Sequence, residues 1–339
     1  MSAWHVPVLN PLLIMSLFKL ILLASSLCLA PGMSTAAAPA ASAGSPRINK
    51  AIELLEAGQP VYYSYGRGGY GEGRAAAQTW ADLLMYDMEG AALDFPQLRE
   101  FMRGLAEGGP TPSGHRTPAV IVTLPLYGLD EPTVRANHWM IQQALAAGIH
   151  GLHICHARDA NAVRAFIQAA RYEIHREAVG DGLNEGIRAF GAHAFAAEIW
   201  GVSGKQYYTL ADVWPLNPKG ELMIGVKIED RPGLHHTESI VRVPGLSFAE
   251  WGPRDTSYAA GHLDVAFDYG RKPGVVAPPE LAAAAERVIR AAKEANLHIL
   301  DNARPEDVVQ QIAAGITIIA GGIEEVAEIG RKHTGRTMP

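Results

Sequence analysis

Acidic residues end two neighbouring predicted strands in the second half of the chain. Glu229 and Asp230 follow the apolar run 222–228, and Asp255 comes shortly after the next such run. The carboxyl ends of parallel barrel strands meet at one face, so Glu229 and Asp255 would face each other across it. A hard divalent cation such as Mg²⁺ prefers carboxylate oxygens, completed by water and substrate oxygens. Spacing alone leaves two interpretations open: a metal site, or a pair of solvated strand-end acids.

A glycine-rich segment offers a different chemistry. Residues 66–71 read Gly-Arg-Gly-Gly-Tyr-Gly, follow a predicted strand, and have Asp87 at the end of the next strand. This spacing is typical of loops that bind the pyrophosphate of a dinucleotide. The preceding strand, Val61–Tyr65, is more polar than the buried central strand of a doubly wound sheet. The alternative interpretation is a glycine-rich loop at the mouth of a barrel.

The elements that must position these residues alternate between β-rich runs and amphipathic helical patterns. This alternation predicts a parallel α/β architecture, and eight strands over about 290 residues predict a (β/α)8 barrel. The stretch from Glu173 to Glu221 has no clear strand and is expected to form a long loop with short helices over one end of the barrel. The predicted strands are Val61–Tyr65, Leu83–Asp87, Ala119–Leu124, Gly151–Cys155, Leu222–Glu229, Leu246–Trp251, Leu297–Asp301 and Ile316–Ala320. The predicted helices are Phe95–Leu105, Pro132–Ala147, Ala160–Arg171, Pro279–Ala295, Pro305–Ala314 and Ile323–Lys332.

Composition excludes several classes of protein. The 339 residues are 48% hydrophobic and 19% charged, with a formal net charge of −6. These values argue against disorder and against a basic nucleic-acid-binding protein. The chain is long enough to bury a large core.

The first 43 residues differ from the rest. Lys19 is followed by the apolar run Leu20–Ala30 and by Ala41-Ser42-Ala43, a typical cleavage site. Residues 1–43 are therefore predicted to be a signal peptide with an alanine-rich linker, and residues 44–339 a single barrel domain without a membrane anchor. A periplasmic or secreted location follows. The alternative is a misassigned start with a flexible tail on a cytoplasmic protein.

Several segments together resemble the HpcH/HpaI aldolase/citrate lyase family of metal-dependent 2-oxo-acid aldolases, over about residues 49–334. Ile224–Asp230 resembles the strand that carries the family's metal-binding glutamate, and residues 252–255 resemble its G-P-x-D segment. Residues 83–89 resemble its D-x-E segment, and Trp200-Gly201 with a following tyrosine resembles its W-G…Y pattern. Taken together, these motifs are specific.

The resemblance implies a phosphoenolpyruvate/pyruvate-type barrel with an extra C-terminal helix and a homo-oligomeric state, a trimer or hexamer. It implies that Glu229 and Asp255 hold Mg²⁺ or Mn²⁺, with Co²⁺ a further possibility, and that Glu89 supports a metal-bound water. Gly252, Pro253 and Arg254 would receive a substrate carboxylate or enolate oxygen. A metal-bound oxo acid has its developing enolate stabilised by the Lewis acid.

Two family features are missing. Gly90 stands where the family usually has a histidine base paired with the aspartate of the D-x-E segment, which here is Asp87. The third strand, Val120–Leu124, lacks the arginine that usually binds the pyruvate carboxylate. We expect the proton acceptor to be His156, at the end of the fourth strand, or a water activated through Asp87 and Glu89.

The sequence therefore predicts a divalent-metal-dependent carbon–carbon lyase that releases an aldehyde from a hydroxy-oxo acid or related carbonyl compound. Two alternatives stay open. One is an NAD(P)-dependent oxidoreductase that uses Gly66–Gly71. The other is an exported metal-binding protein without activity.

Overall fold

The computed structural model describes residues 47–268, 275, 277–319 and 321–339. The predicted signal peptide and linker lie outside the described residues. One unit extends from Ser45 to Pro339. Within the described ranges, no helix combines the length and apolar character that crossing a bilayer requires.

A closed barrel of parallel strands forms the centre of the fold. The strands are β1 (Val61–Gly66), β2 (Leu83–Asp87), β3 (Ala119–Tyr127), β4 (Gly151–Cys155), β5 (Val213–Trp214), β6 (Leu222–Ile228), β7 (Phe248–Trp251), β8 (His298–Leu300) and β9 (Ile318–Ile319). They pair in the order β4-β3-β2-β1-β9-β8-β7-β6, and pairing of β4 with β6 closes the ring. The predicted (β/α)8 barrel is confirmed, and each of the eight predicted strands overlaps a barrel strand.

Helices of the described residues alternate with these strands. They are α1 (Lys50–Glu56), α2 (Tyr70–Ala76), α3 (Phe95–Gly108), α4 (Glu131–Ala136), α5 (His138–Ala146), α6 (Ala160–Ala170), α7 (Ala194–Trp200), α8 (Gly204–Leu210), α9 (Arg231–His235), α10 (Thr237–Val241), α11 (Pro253–Ala259), α12 (Leu263–Asp268), α13 (Pro279–Glu294), α14 (Val308–Ala313) and α15 (Glu324–Thr334). The single helix predicted over 132–147 is in fact two, divided at Asn137. The Asn137 side chain donates to the Thr133 carbonyl at 2.9 Å, so a local side-chain bond competes with the helical pattern.

The segment between α6 and β6 covers the end of the barrel at which the strands begin. β5, which was not predicted, pairs with the start of β6, and Trp200 donates to the Gly148 carbonyl, just before β4. Arg171 anchors the segment through two bonds to Asp212, of 2.7 and 3.0 Å, and both side chains are fully buried. The opposite end, where the strands finish, is left for the predicted site.

The lumen of the barrel changes character along its axis. Near the strand starts it is filled by apolar side chains such as Val61, Leu83 and Ile318. Towards the strand ends, charged side chains follow, including Lys227 on β6 and Glu250 on β7. The lumen is therefore packed with apolar side chains at the end where the strands begin and is polar at the mouth, where they finish.

Candidate active site

Glu229 is the most deeply buried acid at the mouth. It follows β6 directly and is 1% exposed. Its Oε1 accepts the His156 backbone N–H at 2.9 Å, and its Oε2 lies 3.1 Å from Lys227 Nζ. Burial raises the pKa of Glu229 to about 7, although the Lys227 charge acts in the opposite direction. A buried carboxylate in this position is suited to bind a cation.

Lys227 lies between the two predicted metal ligands, and the motifs did not reveal it. Its Nζ is 3.1 Å from Glu229 Oε2 and 3.7 Å from Asp255 Oδ2. Burial opposes its charge, but Glu250 and Glu229 together raise the pKa of the ammonium. The two-residue period of a strand was an available signal, since it assigns residues 227 and 229 to one face.

Asp255 is more open to solvent than Glu229. It lies in the first turn of α11, and its side chain is 46% exposed. Thus the structure brings Glu229 and Asp255 to the same ammonium group.

Of the three predicted substrate-binding residues, Gly252 and Pro253 are buried and Arg254 is exposed. Gly252 donates its N–H to the Ile228 carbonyl, and Pro253 has no N–H. The Arg254 side chain donates to the Ala266 carbonyl at 3.1 Å. The backbone N–H of Arg254, in the first turn of α11, is therefore the amide of this trio that could meet a substrate oxygen.

His156 turns into the mouth through an unusual backbone. Its φ is +46°, a left-handed conformation that costs a non-glycine residue about 1–3 kcal/mol. Strict alternation along β4 would give it the face of Ile154, which packs in the cluster between barrel and helices. Instead its Nδ1 lies 3.1 Å from Asp230 Oδ2, and its ring meets Tyr127 edge-on at 4.6 Å.

Asp230 holds the His156 ring in place. Its Oδ2 also accepts a hydrogen bond from Arg158 Nε at 2.6 Å. Its Oδ1 accepts a hydrogen bond from the Gly233 N–H, so that Asp230 caps the N-terminus of α9. Burial opposes the charge, but the bonds from His156, Gly233 and Arg158 lower the pKa of Asp230 to about 2. The bond to Asp230 raises the pKa of His156. The sequence motifs assigned no role to Asp230, although its position directly after Glu229 at the end of a predicted strand was a signal that could have indicated one.

Asp87 and Glu89 end β2 in a tight turn. Asp87 Oδ1 accepts the backbone N–H groups of Glu89 and Gly90 and the Thr123 hydroxyl, at 2.8, 3.0 and 3.1 Å. Glu89 Oε2 accepts the Cys155 thiol at 2.9 Å. Burial raises the pKa of that thiol well above its usual range, so it remains a donor. Asp87 therefore shapes the turn that presents Glu89.

Glu89, His156 and Glu229 converge at the mouth. Each offers one ligand atom, and these atoms lie within 4.8 Å of one another. Two ligands with bonds of about 2.0–2.2 Å to one ion stand up to about 4.4 Å apart, so small movements of side chains would close the site. The residues present fit a divalent cation.

A second group, His175, Glu177 and Asp212, has similar spacing. However, Arg171 already donates to both acids, at 2.7 Å to Asp212 and 3.0 Å to Glu177. The guanidinium supplies the positive charge, and this group is a structural anchor.

The glycine-rich segment does not form a nucleotide site of the predicted type. A closed barrel lacks the crevice of an open doubly wound sheet in which dinucleotides bind. Furthermore, the Gly69 N–H at the start of α2 donates to Glu72 Oε2 at 3.0 Å. The observed loop at the mouth of the barrel agrees with the other interpretation of this segment.

Comparisons with known proteins agree with this geometry at the level of the fold. No protein-family model and no curated protein sequence matches the chain. Among solved structures, an HpcH/HpaI aldolase/citrate lyase family protein from Burkholderia cenocepacia J2315 is similar, with a TM-score of 0.61 at 20% identity over 85% of this chain and 98% of that one.

Two further solved structures are similar. An HpcH/HpaI aldolase from Desulfitobacterium hafniense DCB-2 has a TM-score of 0.58 at 19% identity, over 85% of this chain and 97% of that one. A macrophomate synthase has a TM-score of 0.55 at 19% identity, over 86% and 89%. The predicted resemblance to this family is confirmed at the level of the fold.

Proposed function

We propose that the chain belongs to the HpcH/HpaI aldolase/citrate lyase family and is a divalent-metal-dependent carbon–carbon lyase. The observation that carries this proposal is the convergence of Glu89, His156 and Glu229 at the mouth of the barrel. The carboxyl ends of barrel strands are where the active sites of such enzymes lie. The shared fold agrees with the same conclusion.

The reaction we propose is retro-aldol cleavage of a hydroxy-oxo acid or a related carbonyl compound. When bound, the ion supplies Lewis-acid stabilisation of the negative charge that develops on the substrate oxygen. Glu229 would hold the ion, and its burial excludes water from that side. The proton of the substrate hydroxyl passes to His156 or to a water held through Asp87 and Glu89, and an aldehyde leaves as the carbon–carbon bond breaks.

Metal analysis combined with a release assay tests the proposal. Full-length protein would be supplied with Mg²⁺, Mn²⁺ or Co²⁺ and screened for aldehyde or pyruvate release from hydroxy-oxo acids and aromatic hydroxymethyl compounds. We expect release that a chelator abolishes and added metal restores. Glu229→Gln should lose both the metal and turnover, whereas Glu325→Gln, which changes an exposed residue of α15, should retain both.

Two outcomes would count against the lyase. Unchanged turnover by Glu229→Gln would show that a metal held by Glu229 takes no part in the reaction. Metal binding without release from any substrate would favour the exported binding protein instead.

A further inference from the structure

Lys227 is a cation at the mouth that the proposed reaction steps do not use. Its Nζ lies 3.1 Å from Glu229 Oε2 and 3.7 Å from Asp255 Oδ2, and its side chain is 19% exposed. Burial opposes its charge, but Glu250 and Glu229 raise the pKa of the ammonium, so the group is protonated at neutral pH. Lys227 is therefore a positive charge that a substrate could reach.

The two carboxylates beside Lys227 are also the predicted ligands of the divalent ion. An ammonium and a divalent ion beside the same pair of acids repel each other. The lysine side chain is long and flexible, so its ammonium can turn away from the acids while the strand stays in place. Once the ion balances Glu229 and Asp255, those acids no longer neutralise Lys227.

A positive charge in such a half-buried place favours an anion beside it, because an uncompensated charge is costly there. Glu250, opposite Lys227 in the pairing of β6 with β7, can accept one of the three ammonium N–H groups. The other N–H groups are left for a ligand.

Lys227 also borders the place predicted for the substrate. A Cβ built on Gly252, the first of the three predicted substrate-binding residues, would stand 3.1 Å from Lys227 Cε. Since residue 252 has no side chain, the stem of the lysine lies directly against the turn that leads into α11. A ligand at this turn would therefore lie next to the lysine side chain.

Two other cations near the mouth are engaged elsewhere. Arg254 Nε donates to the Ala266 carbonyl at 3.1 Å, and Arg158 Nε donates to Asp230 Oδ2 at 2.6 Å. β3, the strand on which an arginine was expected, contains neither arginine nor lysine. Lys227 thus combines a positive charge, partial exposure and proximity to both predicted metal ligands.

We propose that Lys227 binds the carboxylate of the substrate and takes the place of the arginine that β3 lacks. This inference rests on the proposed function, since it concerns the substrate of the same site. It narrows the substrate to a 2-oxo acid with a free carboxylate and excludes uncharged carbonyl compounds. An ammonium binds a carboxylate as a point charge, without the paired hydrogen bonds of a guanidinium.

Binding of pyruvate and pyruvamide to the Mn²⁺-loaded full-length protein tests this role. Pyruvate is the 2-oxo acid that remains when a 4-hydroxy-2-oxo acid loses an aldehyde, and pyruvamide has a similar shape without the charge. Calorimetry measures the affinity for each. We expect wild type to bind pyruvate at least about tenfold more tightly than pyruvamide, and Lys227→Met to lose that preference. Lys227→Arg, which keeps the charge, should still prefer pyruvate.

Mn²⁺ titration into the metal-stripped variants separates this role from an effect on the metal site. Lys227→Met should bind Mn²⁺ at least as tightly as wild type, because a neighbouring like charge has been removed. Lys227→Gln serves the same purpose should the methionine variant fail to fold. Lys205→Met, which changes an exposed residue of α8, is the matched control and should keep both the Mn²⁺ affinity and the preference for pyruvate.

Three outcomes would overturn the role of Lys227 and leave the lyase proposal standing. The first is a full preference for pyruvate in Lys227→Met. The second is a wild-type protein that binds Mn²⁺ but does not distinguish pyruvate from pyruvamide. The third is loss of Mn²⁺ from folded Lys227→Met or Lys227→Gln, which would assign the lysine to the construction of the metal site. If wild type binds none of Mn²⁺, Mg²⁺ or Co²⁺, both proposals fail.

Discussion

The space above Glu229 and Lys227 exists because residue 252 has no side chain. A Cβ at Gly252 would contact Glu229 Oε2 directly, and would stand 2.6 Å from Glu229 Cβ and 3.1 Å from Lys227 Cε. Real Cβ atoms essentially never stand so close to a neighbour, and the Cβ of Glu229 cannot move away without its backbone. Gly252 therefore contributes room to the site in addition to any contact with substrate.

Gly252→Ala tests this role. The added methyl group should displace Glu229, weaken Co²⁺ binding at least tenfold, and lower the free energy of unfolding by about 1–3 kcal/mol. Calorimetric Co²⁺ titration and urea unfolding measure the two effects.

Gly71→Ala is the matched control. No atom lies within 4 Å of a Cβ there, and the residue is in α2, where alanine is favoured by about 0.5–1 kcal/mol. Unchanged Co²⁺ binding in both variants would mean that Gly252 does not shape the site.

Strand β4 carries chemistry at both ends. His156 and the buried Cys155 lie at its mouth end, and His150 precedes its first residue. His150 is 1% exposed, stacks on Trp200, and accepts the Val120 N–H through Nδ1 at 3.1 Å. A protonated ring could not accept that bond. Burial accordingly lowers the pKa of His150 to about 3.

This shift predicts a pH dependence of stability. Between pH 3 and 6.5 the unfolded chain binds a proton at residue 150 and the folded chain does not, so the contribution of His150 to the free energy of unfolding falls as the pH is lowered. The slope is at most about 1.4 kcal/mol per pH unit. His150→Asn can keep an acceptor for Val120 without titrating.

Urea unfolding at pH 7.5, 6 and 5 measures this dependence. We expect His150→Asn to be less stable than wild type at pH 7.5 and the gap to narrow as the pH falls. Groups that titrate in the opposite direction, such as Glu250, whose pKa burial raises to about 8, are present in both proteins and cancel. A constant gap between His150→Asn and wild type across the three pH values would refute the argument.

At the scale of the whole molecule, one buried acid ties the two ends of the barrel domain together. Asp82, just before β2, is fully buried and pairs with Lys50 of α1 at 3.0 Å, Arg331 of α15 at 3.2 Å and Arg336 at 2.5 Å. Burial opposes its charge, but the bonds from Arg336 and the charge of Lys50 keep the pKa of Asp82 below its usual value. The predicted last helix is thereby joined to the first.

Asp82→Asn should lower the free energy of unfolding by about 3–5 kcal/mol, because three cations would lose their shared counter-charge. Urea unfolding at pH 7 measures the loss. Glu100→Gln removes an acid from the exposed Arg103–Glu100 pair, where both side chains are 44% exposed, and should cost under about 1 kcal/mol. Equal losses in the two variants would contradict the proposed anchor.

The sequence by itself determined the barrel and its strands. The limits of β2 and β4 match the prediction, because runs of apolar residues and their two-residue period are local properties of the chain. The pattern failed where a local side-chain hydrogen bond interrupts an element, as at Asn137, which divides one predicted helix into two. The strand-end acids were equally visible, and so was the lack of the usual histidine and arginine.

Only the tertiary structure decided which of these residues meet. Lys227 lies between Glu229 and Asp255, and His156 reaches Asp230 across 74 positions of sequence. Such contacts depend on the curvature of the closed sheet and on a single left-handed residue at position 156. Neither leaves a periodic signal in the chain. The sequence thus identified the acids at the mouth, and three-dimensional packing selected Glu89 and His156 as the neighbours of Glu229.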